Sequence, residues 1–186
     1  MHYATDLLVE EHQVIERMLE VLNAAAQKLE DGKAVDPDFF MKAGDFIRNF
    51  ADKCHHAKEE NILFKLMTKR GVPTEGGPIG QMLAEHGVGR NYASMLVDAA
   101  EELRNGNAAA KGRIIEAARG YAELLSNHIY KENNILYPMG NSVLTADDQA
   151  YLKSEFHRVE EEETGHGVHE KYLALVDELE KRIHEN

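Results

Sequence analysis

Histidine and glutamate recur along this chain at spacings that suit metal binding. The 186 residues include ten histidines but a single cysteine. Two His-x-x-x-Glu motifs, each preceded by an isolated histidine, define six candidate ligands: His12, His55, Glu59, His86, His128 and Glu132. Because residues four apart share a face of an α-helix, each motif can present two ligands together. Imidazoles and carboxylates without thiolate suit iron, manganese or zinc better than magnesium or calcium.

The number of candidate ligands indicates two ions rather than one. Six ligands exceed the tetrahedral shell of a single zinc ion, whereas they fit two ions that keep open positions. The alternatives are a hydrogen-bonded polar network without metal and, for any one histidine, an ordinary buried side chain with a partner. Unpaired polar groups cost about 1–3 kcal/mol each when buried. A metal ion offsets that cost for all six groups, so the sequence favours a metal site.

The candidate ligands belong to an internal repeat. Residues 55–64, HHAKEENILF, align with residues 128–137, HIYKENNILY, and Glu11-His12 aligns with Glu85-His86. The spacings from the isolated histidine to the following motif are 43 and 42 residues. The repeat predicts a helical hairpin that occurs twice, each copy contributing one histidine and one His-x-x-x-Glu motif. The two glutamates that precede the isolated histidines either orient imidazoles or lie on the surface.

The repeat also addresses which of two adjacent histidines faces inward. His55-His56 and Glu59-Glu60 could pair as 55/59 or as 56/60, and the Ile-Leu-aromatic tail aligns only with the first pairing. With about 3.6 residues per turn, apolar residues lie below His55 on the helix, whereas polar residues lie below His56. We therefore predict that His55 and Glu59 face inward and that His56 and Glu60 face outward or lie behind the ligands.

Four helical segments must position these side chains. Clusters of glycine and proline, together with an apolar spacing of three and four, delimit segments at about 3–30, 37–70, 78–104 and 108–138. Each candidate histidine lies about 18–20 residues from the loop that closes its hairpin. Packing in alternating directions then brings all four histidines to one level. We predict an all-α, up-down-up-down four-helix bundle over residues 1–140.

A helical C-terminal extension is predicted over residues 141–186. Pro138 marks the expected end of the fourth bundle helix, and Thr145 and Asp148 are typical of a capped helix start. The amphipathic stretch 168–184 is a candidate surface for a separate protein partner. Because the fourth helix ends near the candidate ligands, we expect the extension to pack on or near that end of the bundle.

Composition narrows the possible partners. The formal charge of −12 disfavours nucleic acid and anionic membrane surfaces. No basic-then-apolar leader opens the sequence and no stretch of about 18 residues is continuously apolar, so we expect neither export nor membrane insertion. The single cysteine, Cys54, cannot build a disulfide framework or a cysteine-ligated cluster, and we expect it to be small core filler. A cytoplasmic protein is the expectation.

The arrangement of these motifs resembles hemerythrin-like (HHE cation-binding) domains. The order of the motifs, their spacing and their Ile-Leu-aromatic runs match that family over about residues 5–139. The resemblance implies a non-haem di-iron centre with four terminal histidines and with Glu59 and Glu132 bridging two iron ions; manganese or zinc is the alternative. It also implies binding or sensing of O₂, nitric oxide or peroxide. The alternatives are a redox enzyme that reduces peroxide or nitric oxide, and an iron storage or delivery protein.

One position departs from the oxygen-carrying members of that family. They carry a further histidine four residues after the third-helix histidine, where this chain has Arg90. One ion is therefore expected to lack a ligand, which favours reactivity or sensing over oxygen transport. A salt bridge between Arg90 and Glu16 is one expectation for this region. Candidates for a completing ligand are Glu16 and, from the extension, His157, Glu163, His166 and His169.

Overall fold

The residues that the structure describes form helices joined by short loops and turns. This computed structural model describes residues 3–165 and 167–185, with side chains for all of these except 162–164. Those ranges contain no strand, and none of their helices has both the length and the apolarity needed to cross a membrane. The α-helices are α1 (Thr5–Glu30), α2 (Pro37–Phe46), α3 (Phe64–Lys69), α4 (Pro78–Arg104), α5 (Ala110–Lys131), α6 (Tyr137–Val143), α7 (Ala146–Arg158) and α8 (Val168–His184). The predicted all-α class is confirmed.

Stretches of π-helix, in which each turn holds more residues than in an α-helix, continue several of these helices. They are π1 (Ile47–His56), π2 (Glu59–Leu63), π3 (Glu132–Leu136) and π4 (Val159–Gly165). π1 and π2 connect α2 to α3, and these four elements form one long helical segment. π3 connects α5 to α6 in a second such segment. The sequence reasoning assumed an α-helical period throughout and therefore did not predict these turns.

Local signals set two helix starts, the second of them as predicted. Asp36 caps α2, because its Oδ1 accepts from the backbone N–H of Asp38 at 3.0 Å, and a proline fills the first position. Thr145 and Asp148 form a reciprocal capping box at the start of α7. Pro138 does not end a helix as expected, since it lies in the first turn of α6, which continues to Val143. A proline fits a first turn because the N–H that it lacks has no obligatory partner there.

Two apolar clusters fill the interior on either side of a polar layer. The first cluster contains buried apolar residues of 14–29, 39–51, 96–129 and 172–183. The second cluster contains those of 4–8, 62–82, 136–144 and 152–159. On each of the four helical segments, the candidate ligands fall at or next to the boundary between the two clusters. This arrangement brings them to one depth, while the up-down-up-down order of the segments stays a prediction.

The residues after α6 pack against both clusters. Side chains of α7 and π4 join the second cluster, and one face of α8 joins the first. Arg17 of α1 holds α8 through Glu180 and Asp177, each at 2.6 Å. The apolar face of 168–184, the candidate surface for a protein partner, packs within this chain through its buried residues Tyr172, Val176, Leu179 and Ile183. The division of the chain at residue 140 stays a prediction.

Candidate metal centre

All six candidate ligands lie together in the polar layer, and each has at most 1% of its surface exposed. Glu132 lies between two histidines from different halves of the repeat. Its Oε2 is 3.2 Å from His12 Nε2, and its Oε1 is 3.1 Å from His128 Nε2. The two oxygens of this carboxylate therefore face opposite sides of the layer.

Glu59 occupies the equivalent place for the other two histidines. Its Oε2 is 3.4 Å from His86 Nε2 and 3.7 Å from His55 Nε2. The Nε2 atoms of His86 and His128 are themselves 3.0 Å apart. Each glutamate thus faces one histidine from each half of the repeat, which is the geometry expected of a carboxylate placed between two sites.

The π-helix brings a further histidine into the layer. His55 and His56 end π1, and Glu59 begins π2. His56 is buried, with 4% of its surface exposed, and its ring stacks on that of His86 with 3.7 Å between centroids. The prediction that His56 faces outward is wrong, because it assumed an α-helical turn, whereas its alternative, that His56 lies behind the ligands, stays a prediction. In the wider π turn, adjacent histidines both reach the interior.

Every histidine of the layer is held at its Nδ1 atom. The pairs are His12 with Asn133 (2.8 Å), His55 with Glu11 (2.9 Å), His56 with Asp52 (3.3 Å), His86 with Glu60 (2.7 Å) and His128 with Glu85 (2.9 Å). Because carboxylate oxygens and the amide oxygen of Asn133 can only accept, Nδ1 carries the proton and Nε2 keeps a lone pair. Proteins orient metal-bound imidazoles in this way. Glu11 and Glu85 are therefore imidazole-orienting residues rather than surface residues.

Lysines stand behind two of these acceptors at equivalent positions of the repeat. Lys58 donates to Glu11, and Lys131 donates to Glu85. Lys58 is fully buried and also donates to Glu160 of π4 at 2.6 Å, so it ties the extension to the layer. Burial raises the pKa of Glu11, but the hydrogen bond from His55 and the charge of Lys58 outweigh this and lower it to about 2. Neither lysine was predicted to have a role, although the repeat aligns them.

Tyr137 makes the two halves of the layer chemically different. Its hydroxyl donates to Glu59 Oε1 at 2.6 Å, and its ring stacks on that of His12 with 5.6 Å between centroids. The equivalent residue of the repeat is Phe64, which stacks on His86 at 6.3 Å and has no hydroxyl. Sequence comparison of the two halves could have found this difference.

Burial keeps part of the layer uncharged when no cation is present. Burial and the neighbouring Glu132 raise the pKa of Glu59 well above its usual range. Burial and the nearby His12 lower the pKa of His55 to about 4, and burial and His86 lower that of His56 to about 3. These two imidazoles are therefore neutral near pH 7, as metal ligands must be.

Two overlapping sets of side chains could each hold an ion. One set is His56, Glu59, His86 and His128, and the other is His12, His55, Glu59 and Glu132. In each set the ligand atoms lie within 4.8 Å of one another. Several buried atoms of these sets lack a hydrogen-bond partner: His55 Nε2, His56 Nε2, Glu59 Oε2 and both carboxylate oxygens of Glu132. Cations satisfy such atoms, so these residues fit a metal centre.

A cavity of about 180 Å³ reaches the layer beside His56. Asp52, Arg90, Gly89 and Tyr121 also line it. The Tyr121 hydroxyl is buried and has no hydrogen-bond partner within the described part of the chain. The cavity therefore offers room and an unused hydroxyl to a small molecule close to the candidate centre.

Arg90 does not pair with Glu16, contrary to expectation. Its Nε donates to Asp52 at 2.8 Å, and a terminal nitrogen donates to Glu60 at 2.7 Å. Glu16 is exposed and belongs to neither set of candidate ligands. Asp52 and Glu60 in turn hold His56 and His86, so Arg90 braces two imidazoles through their acceptors.

The described part of the extension contributes to neither set. His157 is exposed on α7. His169 packs edge-on against Phe50 with 5.3 Å between ring centroids. The other two candidates, Glu163 and His166, lie outside the described side chains.

Comparison with known proteins agrees with this geometry. Residues 3–140 match the Hemerythrin HHE cation binding domain, so the chain belongs to the hemerythrin HHE cation-binding family. An uncharacterized protein of Mycobacterium bovis is 19% identical over 180 residues, which cover 97% of this chain and 70% of that protein. Uncharacterized proteins from two Mycobacterium tuberculosis strains match with the same figures. No solved structure gives a significant match.

Proposed function

We propose that this chain is a non-haem di-iron protein whose carboxylate-bridged centre binds or senses O₂, nitric oxide or peroxide. The observation that carries the proposal is a pair of ligand sets that share Glu59 and contain unsatisfied buried nitrogen and oxygen atoms. In this proposal the terminal ligands are His12 and His55 on one ion and His86 and His128 on the other, with Glu59 and Glu132 bridging. Iron suits imidazoles and carboxylates without thiolate, and the family binds cations.

The proposal extends to the fold that carries the centre. The four helical segments alternate in direction, and residues 1–140 form the unit that holds the ions. Residues 141–186 form an extension that closes over this unit. Lys58 supports this part of the proposal, because its bond to Glu160 ties the extension to the residues behind His55.

The protein's own residues would bind the ions, fix the imidazoles and limit water. Leu8 and Ile62, both buried, belong to the apolar cluster on one side of the layer. Bound iron would supply a change of oxidation state and an open coordination position for a small ligand. The Tyr137 hydroxyl oxygen lies 2.6 Å from Glu59 Oε1 and donates its proton to it, inside the same buried space.

That proton favours a second candidate function, a redox enzyme that reduces peroxide or nitric oxide. Both reductions consume protons as well as electrons, and a buried hydroxyl beside a bridging carboxylate is positioned to supply one. An electron donor would have to come from a separate partner. Iron storage or delivery is less well supported, since every candidate ligand is buried.

The test is metal analysis of protein purified without oxygen, followed by visible spectra as air, nitric oxide or peroxide is added. We expect about two iron ions per chain and a new charge-transfer band on addition of the ligand. A band that reverses under vacuum supports binding or sensing. Repeated consumption of peroxide or nitric oxide with an added reductant supports the enzyme.

The control for this test is His157→Ala, which removes an exposed histidine outside both ligand sets. It should leave the iron content and the spectra unchanged, whereas Glu132→Ala should lower the iron content. A folded protein that takes up no iron, or a single zinc ion only, would contradict the proposal.

A further inference from the structure

We infer that His56 is a metal ligand and gives one of the two ions three imidazoles while the other ion has two. The inference rests on the proposed metal centre and adds a ligand to it. His56 is buried, and its Nε2 atom has no hydrogen-bond partner among the described residues. A neutral imidazole with an unused buried nitrogen is unfavourable unless something binds that nitrogen.

The position of the ring identifies the ion that it would bind. Ligand atoms of His56, Glu59, His86 and His128 lie within 4.8 Å of one another. The Nδ1 atom of His56 already donates to Asp52 at 3.3 Å, which leaves Nε2 as the donor to a metal. His56 therefore shares the side of the layer formed by the two histidines of the second half of the repeat.

The bracing of His56 matches that of the other four imidazoles. Each of them also has an oxygen acceptor at Nδ1, and the acceptor of His56 is fixed by Arg90. The same guanidinium holds Glu60, which is the acceptor of His86. One arginine thus sets the orientation of two stacked imidazoles that face the same ion.

The internal repeat explains why the two ions would have different numbers of imidazole ligands. The residue that corresponds to His56 in the second half is Ile129, which is buried in the first apolar cluster. A side chain there offers no ligand to the other ion. His56 also stands at the end of π1, a long π-helix that has no counterpart before His128, which lies within α5. Both the extra histidine and the turn that directs it inward belong to one half only.

The first test counts imidazoles on the metal in the unaltered protein loaded with Co²⁺ without oxygen. Proton NMR in water and in D₂O reveals exchangeable ring N–H signals shifted by the paramagnetic ion. We expect five such signals, from His12, His55, His56, His86 and His128, because each keeps a proton on Nδ1. Bound Co²⁺ with only four signals overturns the role of His56 and leaves the metal centre standing. No Co²⁺ binding overturns both proposals.

The second test compares His56→Asn with His157→Asn, its control at an exposed histidine. In the first variant, the affinity for one Co²⁺ ion should fall at least about tenfold, and one shifted N–H signal should disappear. The control should bind both ions as the unaltered protein does. Unchanged affinity and an unchanged signal count in a folded His56→Asn protein overturn the inference. If that variant does not fold, the signal count of the unaltered protein decides.

Discussion

Each imidazole of the layer donates from Nδ1 to an oxygen acceptor, but the acceptors differ in which neighbouring side chain holds them in place. Glu11 and Glu85 are backed by lysines, whereas Asp52 and Glu60 share Arg90. These outer contacts set the direction of the Nε2 lone pairs, and the loss of such a contact typically lowers metal affinity about 10–100-fold. At the scale of single residues, we therefore expect metal binding to depend on side chains that are not themselves candidate ligands.

Replacing Arg90 by alanine should weaken binding of one metal ion. The substitution frees Asp52 and Glu60, so His56 and His86 lose the support that fixes their rings. We expect affinity for that ion to fall about 10–100-fold. Metal titration monitored by absorption or calorimetry measures the change. Arg113→Ala is the matched control, since both arginine side chains are 44% exposed and both pair with glutamate. Equal affinities in the two variants would rule out a bracing role for Arg90.

Replacing Tyr137 by phenylalanine should destabilise the metal-free protein but keep the metal. The ring that stacks on His12 remains, while Glu59 Oε1 loses its donor inside the interior. A buried acceptor left without a partner costs about 1–3 kcal/mol, measured as a lower free energy of unfolding in urea. Tyr172→Phe removes a hydroxyl bound to the half-exposed Asp45, so its effect should be smaller. Complete loss of metal from Tyr137→Phe would contradict this expectation.

At this scale, the sequence was sufficient to find the six buried residues that meet in the layer, because their spacing repeats. It was not sufficient for His56. The distinction between His55 and His56 depends on the turn type between residues 47 and 56, and no residue in that stretch signals a π-helix. The repeat aligns Lys58 with Lys131, so their equivalence could be found in the sequence. The contact of Lys58 with Glu160 is visible only in the three-dimensional structure.

At the scale of the helices, π-helical stretches carry the two candidate carboxylate ligands, and side-chain caps fix where two of the α-helices begin. Glu59 opens π2 shortly after π1 ends, and Glu132 opens π3 directly after α5, so each carboxylate is the first residue of a π-helical stretch. The caps of α2 and α7 were predictable because they depend on neighbours in sequence. The continuation of the chain past Pro138 was not, since it depends on how π3 leads into α6.

The α7 cap gives a prediction with a defined dependence on pH. Arg70 and the Thr145 backbone hold the pKa of Asp148 well below its usual value of 3.8. A carboxylate with a depressed pKa stabilises the folded state above its unfolded pKa, and that stability is lost as the pH falls below it. Asp148→Asn should therefore lower the melting temperature at pH 7, and the difference should shrink below pH 3.8.

The control for the cap is Asp147→Asn, an exposed acidic residue in the same first turn of α7. The melting temperature of this variant should be close to that of the unaltered protein, both at pH 7 and below pH 3.8. A melting difference for Asp148→Asn that stays constant from pH 7 to pH 2 would show that the charge of the carboxylate does not support the cap.

At the scale of the whole molecule, the polar layer makes stability depend on its occupant. An interior that contains unsatisfied nitrogens and oxygens is less stable than one in which a cation binds them. The family and the all-α class followed from the sequence, because motif order and apolar spacing are local properties. The burial of the apolar face of α8 did not, since amphipathicity alone does not say which surface covers a helix.

Removing metal should lower the melting temperature and the free energy of unfolding. A ligand that binds only the folded state raises the free energy of unfolding by about 2.7 kcal/mol when its free concentration is 100 times its Kd. Calorimetric melts before and after dialysis against a chelator, at one protein concentration, measure the difference. Glu132→Ala, which should bind metal poorly, should show a smaller change on dialysis. Identical melts for loaded and dialysed protein would contradict the metal centre.

The position of the polar layer between two apolar clusters also affects how fast a bound ion could leave the protein. The six candidate ligands come from four helical segments, and each has at most 1% of its surface exposed. An ion can leave only after several of its bonds break together, which requires neighbouring helices to separate by local opening. The rate of release is therefore set by rare motions of the helices rather than by the strength of any one metal–ligand bond. Once loaded, the protein should keep its ions for long periods, even in surroundings where free metal is scarce.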